Sequence, residues 1–296
     1  MAFVENQGAR IYWDEQGQGE PVLLIMGLGY PSGMWYRTRP PLAARYRTIA
    51  LDNRGSGLSD TPPGPYSIPQ MASDAAAVLD AAGIKGAHVF GVSMGGIIAQ
   101  EFALQYRQRV LSLILGCTAA GGPTAVRVEA EATWMLMNRD KMSPEQAAGA
   151  AVPFIYDQTT PRESIDEDLA IRRPWFQSPE GYAAQLQGIL AWEAYSRLGQ
   201  IVAPTLVIHG ESDLLVPPGN ANLIAERIPG AKLVMIARAS HLFLTDQAEA
   251  AHCAILDFLA AQSAGMAAGK DRERGDGQPL NDSLSQNLSE QDEASC

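Results

Sequence analysis

Short apolar runs with the length of β-strands recur along this chain, and helix-like stretches separate most of them. A short continuous apolar run is typical of a strand that is buried on both faces of a sheet. The runs lie at 22–25, 47–51, 87–90, 110–115, 205–208 and 233–236, after a hairpin over 3–15. Because strands that alternate with helices form parallel sheets, the sequence predicts the α/β class with a doubly wound, mostly parallel sheet.

The pattern changes between residues 118 and 200, where helix-like segments at 126–139, 144–156 and 180–198 follow one another without a convincing strand. We therefore expect a helical cap over 118–200, inserted into a sheet domain made of 1–117 and 201–262. The composition changes again to Gly, Ser, Asn, Gln and charges over 263–296. Such a segment lacks the apolar side chains for a core, so it is predicted to be a disordered tail.

Large apolar side chains are frequent in the predicted cap. Four of them are predicted to bind substrate in an apolar pocket under the cap: Trp134, Met137, Trp175 and Trp192. The alternative is that each of them packs the cap helices against one another.

The net charge of −11 argues against a nucleic-acid partner, because binding phosphates requires a clustered basic surface. No apolar run approaches the roughly 20 residues that a membrane span needs, and the first residues do not resemble a secretory signal. The three cysteines are far apart and form no C-x-x-C pair, so no metal site is expected. These features favour a soluble, cytoplasmic protein, and the oligomeric state stays open.

The stretch Gly91-Val92-Ser93-Met94-Gly95 joins a strand-like run directly to a helix-like run. In this context the G-x-S-x-G spacing predicts a nucleophile elbow, a sharp turn that exposes the serine hydroxyl at the end of a strand. The flanking glycines fit such a turn because it tolerates almost no side chain on either side. Ser93 is therefore the candidate nucleophile.

A nucleophilic serine needs a histidine base within hydrogen-bond reach, and the chain has four histidines. His241 follows the strand-like run 233–236 by a short loop, at the edge where loops converge above a parallel sheet. His88, His209 and His252 lie inside or beside strands and helices, where a packing or backbone-bonding role is favoured. His241 is therefore the candidate base.

The orienting acid is expected in the loop after the strand-like run 205–208. Asp213 is preferred over Glu211 because it comes after the glycine turn and can reach inward. Asp246 is set aside because, with Glu249, it looks like a helix-capping pair. The resulting order of Ser93, Asp213 and His241 is the one expected when a strand-turn-helix serine is built onto a doubly wound sheet.

Negative charge that develops on a carbonyl oxygen must be met by fixed donors, which are commonly backbone N–H groups. Met94 follows the nucleophile and opens a helix, so its N–H is one candidate. Leu28, in Met26-Gly27-Leu28-Gly29 after the first buried run, supplies the second. The alternative for that segment is a plain glycine turn.

These motifs resemble the α/β-hydrolase superfamily, in its branch with a helical cap, over residues 1–262. Asp52-x-Arg54-Gly55-x-Gly57-x-Ser59 resembles the family's turn after its fourth strand, and the segment 204–213 resembles the one that carries its acid. Three stretches, 59–66, Leu28-Gly29 and Glu180-Gly181-Tyr182, are similar to 3-oxoadipate enol-lactonases and, less closely, to polyketide methyl esterases. One departure is Met26-Gly27, where many members carry His-Gly.

The residues and the resemblance together imply a serine hydrolase that cleaves a carboxylic ester or lactone of a small, largely apolar substrate and needs no cofactor. The alternatives are C–C bond hydrolysis, perhydrolysis, and a ligand-binding protein without catalysis. Arg172 and Arg173 in the cap could hold a substrate carboxylate, although paired arginines on a surface are more often solvated.

Overall fold

The computed structural model describes residues 2–275, except for the side chains of residues 140 and 266–275. Eight strands within this range form one sheet: β1 Ala2–Asn6, β2 Ala9–Gln16, β3 Pro21–Ile25, β4 Arg47–Leu51, β5 Ala87–Val92, β6 Val110–Gly116, β7 Thr205–Gly210 and β8 Lys232–Ile236. The helices are α1 Arg39–Ala43, α2 Ile68–Ala81, α3 Met94–Gln105, α4 Ala130–Asn138, α5 Pro144–Ile155, α6 Arg162–Arg172, α7 Pro179–Leu190, α8 Gly219–Arg227, α9 Phe243–Asp246 and α10 Ala248–Gly275.

The strand order is β1-β2-β4-β3-β5-β6-β7-β8. β1 and β2 form an antiparallel hairpin, β2 pairs with β4 antiparallel, and every pairing from β4 to β8 is parallel. The predicted α/β class with a doubly wound, mostly parallel sheet is confirmed. In such a sheet the carboxyl ends of the parallel strands lie on one edge, and loops from that edge form the ligand site.

The middle of the sheet is buried on both faces. All residues of β5 and β7 are buried, as continuous apolar runs predict. The prediction of full burial is wrong for β8, because this strand lies at the edge of the sheet and leaves Lys232 and Leu233 exposed. An edge position cannot be read from an apolar run alone.

The region expected to form a cap contains α4 to α7. Within its described residues the only strand-like feature is an isolated bridge between Gly121 and Glu193. α4 starts later than expected, α7 ends earlier, and α6 was not predicted. The polar sequence of α6 shows almost no apolar period, and only a few side chains such as Ile165 and Leu169 reach the apolar cluster of the cap.

Helix α10 continues to Gly275. The prediction of a disordered tail from residue 263 is therefore wrong for 263–275, and the remainder of that segment lies outside the described residues. The sequence is rich in alanine at 260–268. Alanine is the best helix former, and extending an existing helix costs far less than starting one, so α10 propagates beyond Leu259, the last buried apolar side chain among the described ones.

Candidate active site

Ser93 lies at the junction of β5 and α3 with φ 56° and ψ −122°. Such a positive φ is rare for a residue with a side chain and indicates a strained backbone. The Ser93 N–H donates to the Gly116 carbonyl at 2.9 Å, and the Thr118 hydroxyl donates to the Ser93 carbonyl at 2.7 Å. These bonds hold the turn that the G-x-S-x-G motif predicts.

The two motif glycines allow the sheet and α3 to approach closely. A β-carbon on Gly91 would overlap the carbonyl oxygen of Gly95, and one on Gly95 would overlap the carbonyl oxygen of Ile25. The elbow therefore depends on the absence of side chains at both positions.

Asp213 and His241 form a buried hydrogen-bonded pair. His241 Nδ1 lies 2.8 Å from Asp213 Oδ2, and the side chains are 7% and 0% exposed. Asp213 Oδ1 accepts from the backbone N–H groups of Leu215 at 2.9 Å and Val216 at 2.8 Å, so the carboxylate is fixed in the loop after β7.

The pair shifts the pKa of both of its members. Burial alone would raise the pKa of Asp213, but the charge of His241 and hydrogen bonds from His209 and His241 lower it to about 2. Burial opposes a charged imidazole and is the largest single effect, yet the charge of Asp213, the nearby Cys117 and the hydrogen bonds to both together outweigh it and raise the pKa of His241 well above 6.5. An aspartate placed in this way orients an imidazole and stabilises its protonated form.

His209 contributes to the same arrangement. Its Nε2 lies 2.8 Å from the Val216 carbonyl oxygen and 3.1 Å from Asp213 Oδ2. The backbone-bonding role expected for His209 is therefore observed, but the contact with Asp213 was missed. The sequence indicates this contact only by its spacing, because His209 lies near the end of β7 and Asp213 follows it by four residues in the next loop.

The two competing acids have different surroundings. Glu211 is exposed. Asp246 accepts hydrogen bonds from the N–H of Ser240 at 2.7 Å, the N–H of Asp157 at 3.1 Å and the hydroxyl of Thr160 at 2.6 Å. The interpretation of Asp246 as a capping residue is wrong: it ties the loop before His241 to the cap, and burial raises its pKa to about 6.

Ser93 and His241 line the same cavity, which has a volume of about 720 Å³. Among the described residues, no hydrogen bond joins the Ser93 hydroxyl to the imidazole. Cys117, which follows β6 with φ 40°, lines the cavity and hydrogen-bonds the His241 side chain. Hydrogen bonds between catalytic groups are often loose without substrate and tighten when it binds. The sequence did not indicate that Cys117 contacts His241, although its position directly after a buried strand-like run could be read from the sequence.

The segment after β3 passes close to Ser93. A β-carbon on Gly27 would lie 3.0 Å from Ser93 Cβ and 3.5 Å from Ser93 Oγ, so a side chain at this position would crowd the serine. Leu28 and Met94, the predicted oxyanion donors, both line the cavity. We call residues 26–29 the oxyanion loop.

The oxyanion loop is held from two sides. Asn53, in the turn after β4, donates its side-chain amide to the Met26 carbonyl at 2.9 Å. From α7, Gln185 Oε1 accepts from the Gly29 N–H at 3.1 Å. Gln185 Nε2 donates to the Arg54 carbonyl at 2.8 Å and to Ser56 Oγ at 2.9 Å. Gln185 is fully buried, so these bonds are shielded from water.

Of the four cap residues predicted to bind substrate, Met137 lies among the described residues that line the cavity, and the other three do not. Trp134 and Trp175 are 60% and 40% exposed, and Trp192 is buried in the core with its indole N–H donating to Glu101 at 2.8 Å. The apolar wall instead includes Met135, Leu136, Ile155, Ile189, Leu190, Leu215 and Leu242. The presence of large apolar side chains in this region does not show which face of each helix is turned toward the sheet.

The two arginines proposed to hold a carboxylate do not line the cavity among its described residues. Arg172 is buried, stacks on the Tyr30 ring at 3.7 Å and donates to the Gly29 carbonyl at 3.4 Å. Arg173 is 74% exposed, 4.0 Å from Glu145. The cavity arginines are Arg127 and Arg139, which the sequence did not single out.

The chain matches the family of the α/β-hydrolase fold over residues 20–158 and 166–248. It therefore belongs to the α/β-hydrolases, and it is an enzyme of that fold.

A candidate carbamate hydrolase, RutD, from Azorhizobium caulinodans is 34% identical over 248 residues, which cover 82% of this chain and 92% of the relative. The 3-oxoadipate enol-lactonase 2 of Acinetobacter baylyi is 31% identical over 245 residues, covering 81% and 89%. In structure, the chain is similar to the enol-lactonase of Burkholderia xenovorans LB400, with a TM-score of 0.79, 26% identity and coverage of 88% and 100%. The resemblance to α/β-hydrolases and enol-lactonases is confirmed, and the resemblance to polyketide methyl esterases stays a prediction.

No helix within residues 2–275 has both the length and the apolar character to cross a membrane.

Proposed function

We propose that this hydrolase cleaves a carboxylic ester or lactone of a small, largely apolar substrate through an acyl-enzyme at Ser93. One observation carries the proposal: the buried Asp213–His241 pair and the strained Ser93 turn open into the same cavity. The apolar wall of that cavity suits a substrate that is mainly hydrocarbon. The enol-lactonase relative adds support for lactone chemistry.

In the proposed reaction His241 takes the proton of the Ser93 hydroxyl while Oγ attacks the substrate carbonyl carbon. The resulting oxyanion accepts hydrogen bonds from the N–H groups of Leu28 and Met94. When the tetrahedral intermediate collapses, the C–O bond breaks and His241 gives its proton to the leaving alkoxide. Water, deprotonated by His241, then hydrolyses the acyl-enzyme, so that one ester and one water become one acid and one alcohol.

We also propose that residues 118–200 act as a cap on the sheet domain. Side chains from α4, α5 and α7 line the cavity together with residues after β3, β5 and β6, so that substrate is enclosed between the two parts. Enclosure excludes water and strengthens the hydrogen bonds to the oxyanion.

The test is the Ser93→Ala variant, assayed on short p-nitrophenyl esters and on a panel of lactones and methyl esters. Loss of the nucleophile should lower kcat by about 10³-fold or more. A fluorophosphonate probe should label the unaltered enzyme and leave Ser93→Ala unlabelled. Ser73→Ala, outside the cavity, is the matched control. Labelling that persists in Ser93→Ala would refute the proposal.

Other reactions remain as alternatives on the same residues. The carbamate hydrolase relative favours including a carbamate in the panel. C–C bond hydrolysis would show as turnover of a β-diketone, and perhydrolysis as turnover of hydrogen peroxide together with a carboxylic acid. A ligand-binding protein without catalysis would bind members of the panel, turn over none of them and resist the fluorophosphonate probe.

A further inference from the structure

Arg139 follows α4 directly and lines the cavity. Its guanidinium lies 4.9 Å above the Tyr182 ring, a stacking contact that favours a defined position. A β-carbon built on Gly29 would lie 3.8 Å from Arg139 Nη1, so this cation stands beside the oxyanion loop. Consecutive Cα atoms are about 3.8 Å apart, and the predicted donor Leu28 is the next residue. The guanidinium of Arg139 therefore lies beside the residue that follows the predicted donor.

The charge of Arg139 is not neutralised by the described side chains, none of which brings a carboxylate within 4 Å of it. Arg139 is half-buried, and the fully buried charges that line the cavity are matched. Asp168 is paired with Arg37 Nε at 3.3 Å and accepts hydrogen bonds from the hydroxyls of Tyr156 at 3.0 Å and Thr245 at 2.8 Å. His241 is matched by Asp213. Arg127 also lines the cavity but is exposed, so water screens its charge.

Two further groups beside Arg139 have unused hydrogen-bonding capacity. Tyr30 lines the cavity, and its hydroxyl has no hydrogen-bond partner among the described side chains and backbone groups. Burial raises the pKa of this hydroxyl, the charges of Arg139 and His241 oppose that increase, and the charge of Asp168 adds to it. Gln177 Oε1 is buried without a partner and would lie 2.8 Å from a β-carbon on Gly29. As far as the described side chains go, the part of the cavity next to the oxyanion loop thus offers the Arg139 cation without a carboxylate partner and the Tyr30 hydroxyl without a hydrogen-bond partner.

We propose that Arg139, with the Tyr30 hydroxyl, binds a carboxylate carried by the substrate. This inference rests on the proposed hydrolase function and narrows its substrate to an ester or lactone of an acid that bears a second, free carboxylate near the scissile carbonyl. A carboxylate matches the site because one negative charge neutralises one guanidinium and its two oxygens can accept from Arg139 and Tyr30 together. The remainder of the substrate meets the apolar wall.

The experiment compares two p-nitrophenyl esters of glutaric acid, one with the second carboxyl free and one with it methylated. Hydrogen bonds to a charged group contribute about 1.5–3 kcal/mol, which corresponds to a loss of about 10- to 150-fold. We expect Arg139→Gln to lower kcat/KM for the free acid by that factor and for the methylated ester by less than about threefold. The methylated ester also shows whether the variant is folded. Arg139→Lys should retain part of the preference, and Arg173→Gln, which removes a cap charge outside the cavity, should leave it unchanged.

The inference would be overturned if Arg139→Gln lowered kcat/KM equally for both esters. It would also be overturned if the unaltered enzyme showed no preference for the free acid or hydrolysed neither ester. The Ser93→Ala variant separates the two proposals. If it still hydrolyses both esters, the proposed function fails. If it hydrolyses neither while Arg139→Gln affects both esters alike, only the carboxylate site fails.

Discussion

Replacing Asp213 with asparagine removes the charge behind His241 while keeping the shape of the side chain. The carbonyl oxygen of the new amide must stay on the side of Leu215 and Val216, because both backbone N–H groups donate to Oδ1 there. The NH2 group then occupies the Oδ2 position, 2.8 Å from His241 Nδ1. Two donors cannot share one hydrogen bond, so the imidazole must move its proton from Nδ1 to Nε2. In that tautomer His241 cannot accept the Ser93 proton.

The size of the effect follows from this change of tautomer. The equivalent Asp-to-Asn change in serine proteases costs about 10⁴-fold in kcat, and at about 1.4 kcal/mol for each factor of ten this is a barrier increase of about 5 kcal/mol. We expect a loss of the same order in Asp213→Asn, measured as kcat on a neutral p-nitrophenyl ester. Glu211→Gln is the matched control, because Glu211 is the exposed competitor in the same loop.

The pH dependence gives a second measurement. The proposed reaction needs neutral His241, whose pKa is raised well above 6.5, so the activity of the unaltered enzyme should be half lost at a pH above 6.5. Without the charge at position 213 this midpoint should move to lower pH. A loss of less than tenfold in Asp213→Asn, an equal loss in Glu211→Gln, or an unmoved midpoint would refute the assignment of Asp213 as the orienting acid.

The same pair also affects stability. The pKa of Asp213 is lowered from 3.8 to about 2, so its contribution to folding is present above pH 3.8 and is lost as the pH falls through 2. With about 1.4 kcal/mol for each pKa unit, that contribution is about 2 kcal/mol. The pKa of His241 is raised, so its own contribution is present below pH 6.5 and is lost as the pH rises through the folded-state pKa. Urea denaturation at pH 5 and pH 2 should show the loss of the Asp213 contribution as a lower free energy of unfolding at pH 2. This part of the decrease should be absent in Asp213→Asn.

Two further substitutions test the oxyanion loop. Gly27→Val should abolish ester turnover and fluorophosphonate labelling while the circular dichroism spectrum stays unchanged, because even the β-carbon would lie 3.0 Å from Ser93 Cβ; retained labelling would contradict the close approach. Gln185→Leu leaves the buried N–H of Gly29 without its acceptor. It should therefore lower kcat more than it raises KM, and it should lower the free energy of unfolding by about 1–3 kcal/mol. An unchanged kcat would show that the oxyanion loop holds its position without Gln185.

The sheet was predictable because its signal is local. Continuous apolar runs mark strands that are buried on both faces, and the runs at 87–90 and 205–208 became fully buried strands. The turn at Ser93 could also be predicted. Its close contacts require glycine at positions 91 and 95, and that spacing can be read directly from the sequence.

The cavity wall could not be predicted, because it depends on which face of each cap helix meets the sheet. Trp134 and Met135 are neighbours on α4, yet the first is 60% exposed and the second is 3% exposed. The surroundings of Arg139 were hidden for the same reason. Its contact with Tyr182 and its position beside Gly29 join segments that are far apart in the sequence, and no local pattern records them.

The bond between Gln185 and Gly29 matters for attempts to change the substrate range of this enzyme by exchanging its cap. A cap taken from a relative would bring new walls for the cavity, but it would also have to supply an amide acceptor at the position of Gln185. Libraries that randomise the inner face of α4 and leave α7 intact should therefore yield more active clones than wholesale cap transplants.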